Sequence, residues 1–228
     1  MTSKLRPLVL ALGVVATAAA LTPPSEACTN ILVTKGASAD GSSIITYACD
    51  GRFHARLRHR EAQEHPAGTM RELRSWGGEL RGSIPEMEHT YATVGLMNEH
   101  QLAIAETTTT GREELQNQEG LLHYWDLIQL ALQRARTARQ AIEVMTSLVA
   151  EHGYRSTAES FAIADPDEVW LMEMTGKGPG RPGAIWVALR VPDGSISAYA
   201  NGIRIRQFPM DDPERWGLVP IGAKDRLD

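Results

Sequence analysis

At 228 residues, with 43% hydrophobic and 22% charged side chains, the chain has apolar material for one substantial core and is not composed like a disordered segment. A formal net charge of -5 argues against general electrostatic binding of nucleic acid, which needs Lys and Arg to neutralise phosphates. Two cysteines, Cys28 and Cys49, exclude a disulfide scaffold and leave room for a single bridge.

Residues 1–27 read as an export signal rather than as part of the fold. Lys4 and Arg6 supply a positive start, an apolar run covers 8–21, and Pro23 and Pro24 break it. Ser25 and Ala27 then place small side chains where a signal peptidase cuts. The run falls short of the ~20 residues that span a bilayer, so no membrane attachment is expected after cleavage. A cut between Ala27 and Cys28 is expected to export residues 28–228, to the periplasm or the extracellular medium, as one domain. An uncleaved anchor and a lipid-modified Cys28 are the competing readings; Ser25-Glu26-Ala27 fits a lipidation site poorly.

Cleavage at that point makes Cys28 the first residue of the exported chain. A thiol and a free α-amine then share one residue, a nucleophile with its own base. Strands are predicted over 30–35 and 43–48, joined by a turn at Ala39-Asp40-Gly41. Such a hairpin brings its far end, including Asp50, back toward Cys28. If Asp50 faces the nucleophile, alternation turns Cys49 away and no disulfide forms. A structural Cys28–Cys49 bridge is the alternative in an oxidising compartment.

The stretch 52–60 is dense in Arg and His. It is either a solvated face or a rim, including Arg52 and Arg56, that attracts an anionic group of the substrate. A zinc site on His54, His59 and His65 is set aside, because the spacing matches no ligand pattern. No metal or cofactor is expected.

Residues 66–88, rich in Gly, Pro and charge, are predicted to be irregular. Strands follow over 90–96 and 102–110, separated by a turn at 98–101. Apolar residues at helical spacing predict a helix from Leu121 through Leu132, and Thr137 caps a second that ends at Gly153. Strands over 159–164, 169–174, 183–191 and 195–205 complete the chain. The Gly-rich loop 176–183 lacks the Gly-Lys-Ser/Thr and following helix of a phosphate cradle, and reads as a wide hairpin loop. Strands and helices do not alternate as in a doubly wound fold, so antiparallel sheets with packed helices are expected.

Three groups of residues resemble the cysteine dipeptidase family of bacterial dipeptidases and secernins. They are Ala27-Cys28-Thr29-Asn30 with Ala39-Asp40-Gly41-Ser42, Met97-Asn98-Glu99-His100 leading into Glu106-Thr107-Thr108, and the run from Glu159-Ser160-Phe161 to Ala200-Asn201-Gly202-Ile203-Arg204. The resemblance implies an α+β fold, the four-layer αββα sandwich of N-terminal-nucleophile hydrolases, incomplete at its C-terminal end here. It also implies hydrolysis of the amide bond of dipeptides, with a different small amide or an inactive binding domain as alternatives. By the same resemblance Cys28 is the nucleophile, Asp50 orients its amine and the Asn201 side chain donates to the oxyanion. The backbone of Thr107 or Thr108 supplies a second donor, and Arg204 holds Asp50 or a substrate carboxylate. The chain departs from the family at Tyr47-Ala48-Cys49-Asp50, where a basic residue and Asn usually precede the Asp.

Overall fold

The computed structural model describes residues 28–49, 57–109 and 111–207. Residues 1–27, expected to be an export signal, and Asp50, Arg52 and Arg56 lie outside them. Among the described residues no helix is long and apolar enough to cross a membrane.

Three largely buried segments build the middle of the larger sheet. They are β10 (Ala103–Thr109), β11 (Ala158–Ala164) and β12 (Val169–Thr175). Every residue of β11 is buried, because both faces of the sheet are covered. β13 (Ile185–Arg190) borders β12 on one side. On the other side β10 meets three short strands, β9 (Met97–Asn98), β8 (Thr93–Val94) and β3 (His59–Arg60). All the pairings are antiparallel.

Alternation along these strands sorts their side chains into two cores. Ile104, Ile163, Trp170 and Met172 point to the side covered by α1 (Tyr124–Arg134) and α2 (Ala138–His152). Ala105, Ala162 and Leu171 point to the other side. There they meet Leu32 and Tyr199 of a three-stranded sheet, ordered β14 (Ile196–Tyr199), β1 (Cys28–Val33), β2 (Ile44–Cys49). The described layers are therefore helices, sheet, sheet. Ile31, Ile44 and Ile196 on the outer face of the small sheet are 40%, 41% and 65% exposed, and no described helix covers them. Among the described residues there is no second helical layer of the kind expected from the family resemblance.

Both helices form where their periodicity places them, with one shift. α2 begins behind Thr137, whose hydroxyl accepts from Gln140 N at 3.2 Å, and ends at Gly153 with φ 77°. α1 starts at Tyr124, not Leu121. Leu121 and Leu122 are instead drawn to the end of α2, their amides donating to the carbonyls of His152 and Gly153.

Elsewhere the structure departs from the expected elements for identifiable reasons. Residues 66–88 contain a hairpin, β5 (Met70–Arg74) and β6 (Leu80–Pro85). Only Leu73 and Ile84 turn inward from it, too few apolar positions to stand out among Gly and charge. The strand expected over 90–96 breaks into β7 (His89–Thr90) and β8, with β7 pairing instead to β4 (Gln63–Glu64). The last strand stops at Tyr199, so Asn201 sits in the loop beyond it. The Gly-rich loop is indeed a hairpin connection between β12 and β13, tied down by Gly178 N on Leu115 O and Gly180 N on Glu119.

The family-like Met97-Asn98-Glu99-His100 motif is structural. Buried Asn98 donates to the carbonyls of Leu132 and Ala135 at the end of α1, and accepts from the amides of His100 and Leu102. One side chain thereby satisfies helix-terminal carbonyls and fixes the turn that leads into β10.

Candidate active site

The beginning of β1, the end of β10 and the loop after β14 converge at Cys28. Its backbone nitrogen donates to Asn201 Oδ1 at 2.7 Å, and Asn201 Nδ2 donates to Thr108 O at 2.8 Å. Asn201 thus ties β10 to the first residue of β1, which lies 173 positions before it in sequence. Cys28, Asn201 and Thr108, selected from the sequence, are brought together. Thr107 is also close, but its buried hydroxyl turns inward to Asn30 Nδ2 at 2.6 Å.

Arg204 is pinned by its backbone. Its amide donates to Glu173 Oε1 at 2.6 Å and that of Ile205 donates to the same oxygen at 3.1 Å. Burial raises the Glu173 carboxyl above its usual range against the pull of those two amides. The charge of the Arg204 guanidinium acts on the same carboxyl, drawing it down more weakly than the two amides do.

The orientation of Cys49 corrects the sequence reading. β1 and β2 pair with Cys28 opposite Cys49, and opposed residues of an antiparallel pair share a face. The two sulfurs lie 3.3 Å apart, both as thiols. Asn30 and Tyr47, two residues further along each strand, point the same way into the protein. The expectation that Cys49 faces away rested on Asp50 opposing Cys28, and the register pairs its neighbour instead.

Beneath the thiols lies a buried polar network that the sequence did not reveal. Asn30 Nδ2 reaches Glu106 O at 2.9 Å and Tyr199 Oη at 3.1 Å. The Tyr47 hydroxyl donates to Glu106 Oε1 at 2.7 Å. Burial first, then Glu106 and the Cys49 thiol, raise the Tyr47 phenol far above its ordinary range, which keeps it a donor. Thr108 and Ser156 donate to Glu159 Oε1 at 3.3 and 3.1 Å. The remaining oxygens, Oε2 of Glu106 and Oε2 of Glu159, are buried with no other partner. Burial, then the charge of Glu106 and a hydrogen bond to it, push the Glu159 carboxyl up to about 9. Such an environment favours the protonated form of Glu159.

Such a carboxyl binds its proton more tightly folded than unfolded. Its contribution to stability is complete below the unfolded value of 4.5 and is lost as pH rises toward about 9. Urea midpoints of the wild type should therefore decline across that window more steeply than those of Glu159→Gln, which cannot ionise. Parallel declines would show that Glu159 titrates as an ordinary carboxyl.

Comparison with known proteins identifies the family of the chain. Residues 27–94 and 77–218 match peptidase family C69. The chain belongs to peptidase family C69. It is 27% identical over 220 residues to the probable dipeptidase A of Streptococcus pyogenes serotype M3 (strain SSI-1), covering 89% of this chain and 45% of that protein. It is 26% identical over 211 residues to a probable dipeptidase of Latilactobacillus sakei, covering 84% of the chain and 42% of the relative. A dipeptidase of Bifidobacterium longum (strain NCC 2705) is 27% identical over 218 residues, 82% of this chain and 39% of the relative. The chain thus spans less than half the length of these relatives.

Two further features of this C69 chain bear on the sequence reading. The described end of the basic stretch, Arg58 and Arg60, lines a cleft of about 830 Å³ with Arg81, Arg155, Trp76 and Trp125. Neither cysteine lines this cleft, nor do Thr108 and Asn201, so it is separate from the thiol pair. His59 stands 3.4 Å from Glu61, while His65 bonds the Thr90 hydroxyl at 3.1 Å. Among the described residues no three His, Cys, Asp or Glu side chains gather as a metal site.

Proposed function

We propose that the chain acts as an exported cysteine dipeptidase, with Cys28 exposed as the first residue by removal of residues 1–27. The observation that carries this reading is the bond from Cys28 N to Asn201 Oδ1, beside a thiol on the same residue. Family membership and relatives named as dipeptidases support the substrate class.

An ordinary cysteine thiol, with a pKa of ~8.5, is a few per cent thiolate at neutral pH. An α-amine, at ~7.7–8.0, lies close enough to neutrality to take the thiol proton directly or through water. Asn201 Oδ1 accepts one amine hydrogen and leaves the nitrogen lone pair for that proton. The thiolate then attacks the peptide carbonyl carbon. The tetrahedral oxyanion collapses to a thioester, and the departing amine takes a proton from the α-ammonium. Water, deprotonated by the same amine, hydrolyses the thioester and releases the first amino acid.

The oxyanion needs donors that are already in place. In an antiparallel strand the N–H and C=O of one residue point to the same side. The carbonyls of Glu106 and Thr108 face Asn30 and Asn201, away from β11, which supports Thr108 over Thr107 as the backbone donor. The second hydrogen of Asn201 Nδ2 supplies the other. Asp50 orients the amine, Arg204 holds Asp50 or a substrate carboxylate, and Arg52 and Arg56 form a cationic rim. The sandwich of helices, sheet and sheet supports the N-terminal-nucleophile type of fold, in which a second helical layer packs on the face that here carries Ile31, Ile44 and Ile196.

The test uses protein that begins at Cys28, offered free dipeptides, N-acetylated dipeptides and simple acyl amides. Release of amino acids from free dipeptides alone is the expected result. Turnover confined to the blocked or non-peptide amides would move the chain to the alternative acyl-amide hydrolase.

A further inference from the structure

We propose that Cys28 and Cys49 form a dithiol site that small-molecule disulfides oxidise to an intramolecular bridge, masking the Cys28 sulfur. The bridge itself is independent of the proposed activity; only the masking of a nucleophile rests on that reading.

The fold has already brought the pair together. The two cysteines are directly opposed in a hairpin that pairs residue by residue from Cys28–Cys49 to Val33–Ile44. Opposed residues share a face with Cα atoms about 4.5–5.5 Å apart, inside the ~4.4–6.8 Å that disulfides span. Their sulfurs stand 3.3 Å apart, and a bond requires an approach to about 2 Å. Both side chains are half-buried, so a small disulfide can reach them. Residues separated by 21 positions are thus held as reaction partners.

The chemistry balances as a two-step exchange. A thiolate of the pair attacks a sulfur of the small disulfide, forming a mixed disulfide and expelling one small thiolate. The second protein thiolate attacks the protein sulfur of that adduct and expels the other. The two cysteines are oxidised, the small disulfide is reduced to two thiols, and the two protons lost by the cysteines end on those thiols or in solvent. Because the partner sulfur is 3.3 Å away, the second step outruns any encounter with another thiol. A reduced dithiol reverses both steps.

The deciding experiment treats protein beginning at Cys28 with oxidised glutathione, quenches it with an alkylating agent, and maps the peptides by mass. The wild type should take up no alkyl group and keep no glutathione. It should be two hydrogens lighter and yield the Cys28 and Cys49 peptides joined. Dipeptide hydrolysis should disappear in step with the bridge and return with dithiothreitol. Cys49→Ala, which cannot close the bridge, should instead retain glutathione on Cys28. Wild type in which both cysteines still alkylate, or carry glutathione without a cross-link, would overturn the proposal. A mapped bridge with undiminished hydrolysis would uphold the site and remove Cys28 as the nucleophile. A mapped bridge in protein with no hydrolysis even when reduced would uphold it and remove the dipeptidase reading.

Discussion

Cys28→Ala should lower dipeptide hydrolysis by at least about 10⁴-fold, to the background of the assay. The substitution removes the attacking sulfur but keeps the backbone nitrogen and its bond to Asn201. Cys28 is half-buried at the start of a strand and loses one atom, so the fold should change in stability by less than about 1 kcal/mol. Cys28→Ser should retain at most a trace, since a hydroxyl is far less acidic than a thiol and an amine deprotonates it poorly. Circular dichroism and thermal midpoints matching the wild type, together with absent turnover, are the expected pair of results. Equal turnover by wild type and Cys28→Ala would mean that the reaction runs through another residue.

Asn201→Ala should reduce kcat by about 10²–10³-fold with little change in KM, the usual consequence of removing an oxyanion donor. Two bonds disappear with the side chain, one from Cys28 N and one to Thr108 O. Asn201→Asp separates their contributions. Aspartate can still accept from Cys28 N, but it cannot donate to Thr108 O or to an oxyanion, and its charge opposes the one that develops there. It should therefore be no better than Asn201→Ala. Asn201 is exposed beyond the end of a strand, so neither change should unfold the protein. A kcat within twofold of wild type for both variants would reduce Asn201 to a loop residue.

Much of this site was legible in the sequence because its markers are local. Two alternating segments around Asp40-Gly41 and a helix capped by Thr137 each announce themselves within a few positions. Asn201 and Thr108 came from a family resemblance, and the structure joins them through a hydrogen bond. What stayed hidden depends on register. Whether Cys28 opposes Cys49 or Asp50 differs by one residue, and a one-residue slip exchanges the two faces of a strand. Glu106 and Glu159 lie in separate apolar strands, and only the pairing of Thr108 with Glu159 and Glu106 with Phe161 sets both carboxyls on one face. Tyr47 looked like one more alternating strand residue, although its hydroxyl reaches Glu106 in another sheet. The hairpin at 70–85 escaped because its burial rests on Leu73 and Ile84 alone.

The central claim is that Cys28 supplies both the nucleophile and, through its own α-amine, the base. The most direct measurement compares dipeptide turnover by two otherwise identical proteins, one beginning at Cys28 and one carrying a single extra residue before it. The extension leaves the thiol untouched but converts the amine to an amide, which has no basic lone pair. The account predicts turnover in the first protein and none above background in the second, recovered when a peptidase removes the added residue. Equal turnover by the two proteins would contradict it and place the base elsewhere in the chain.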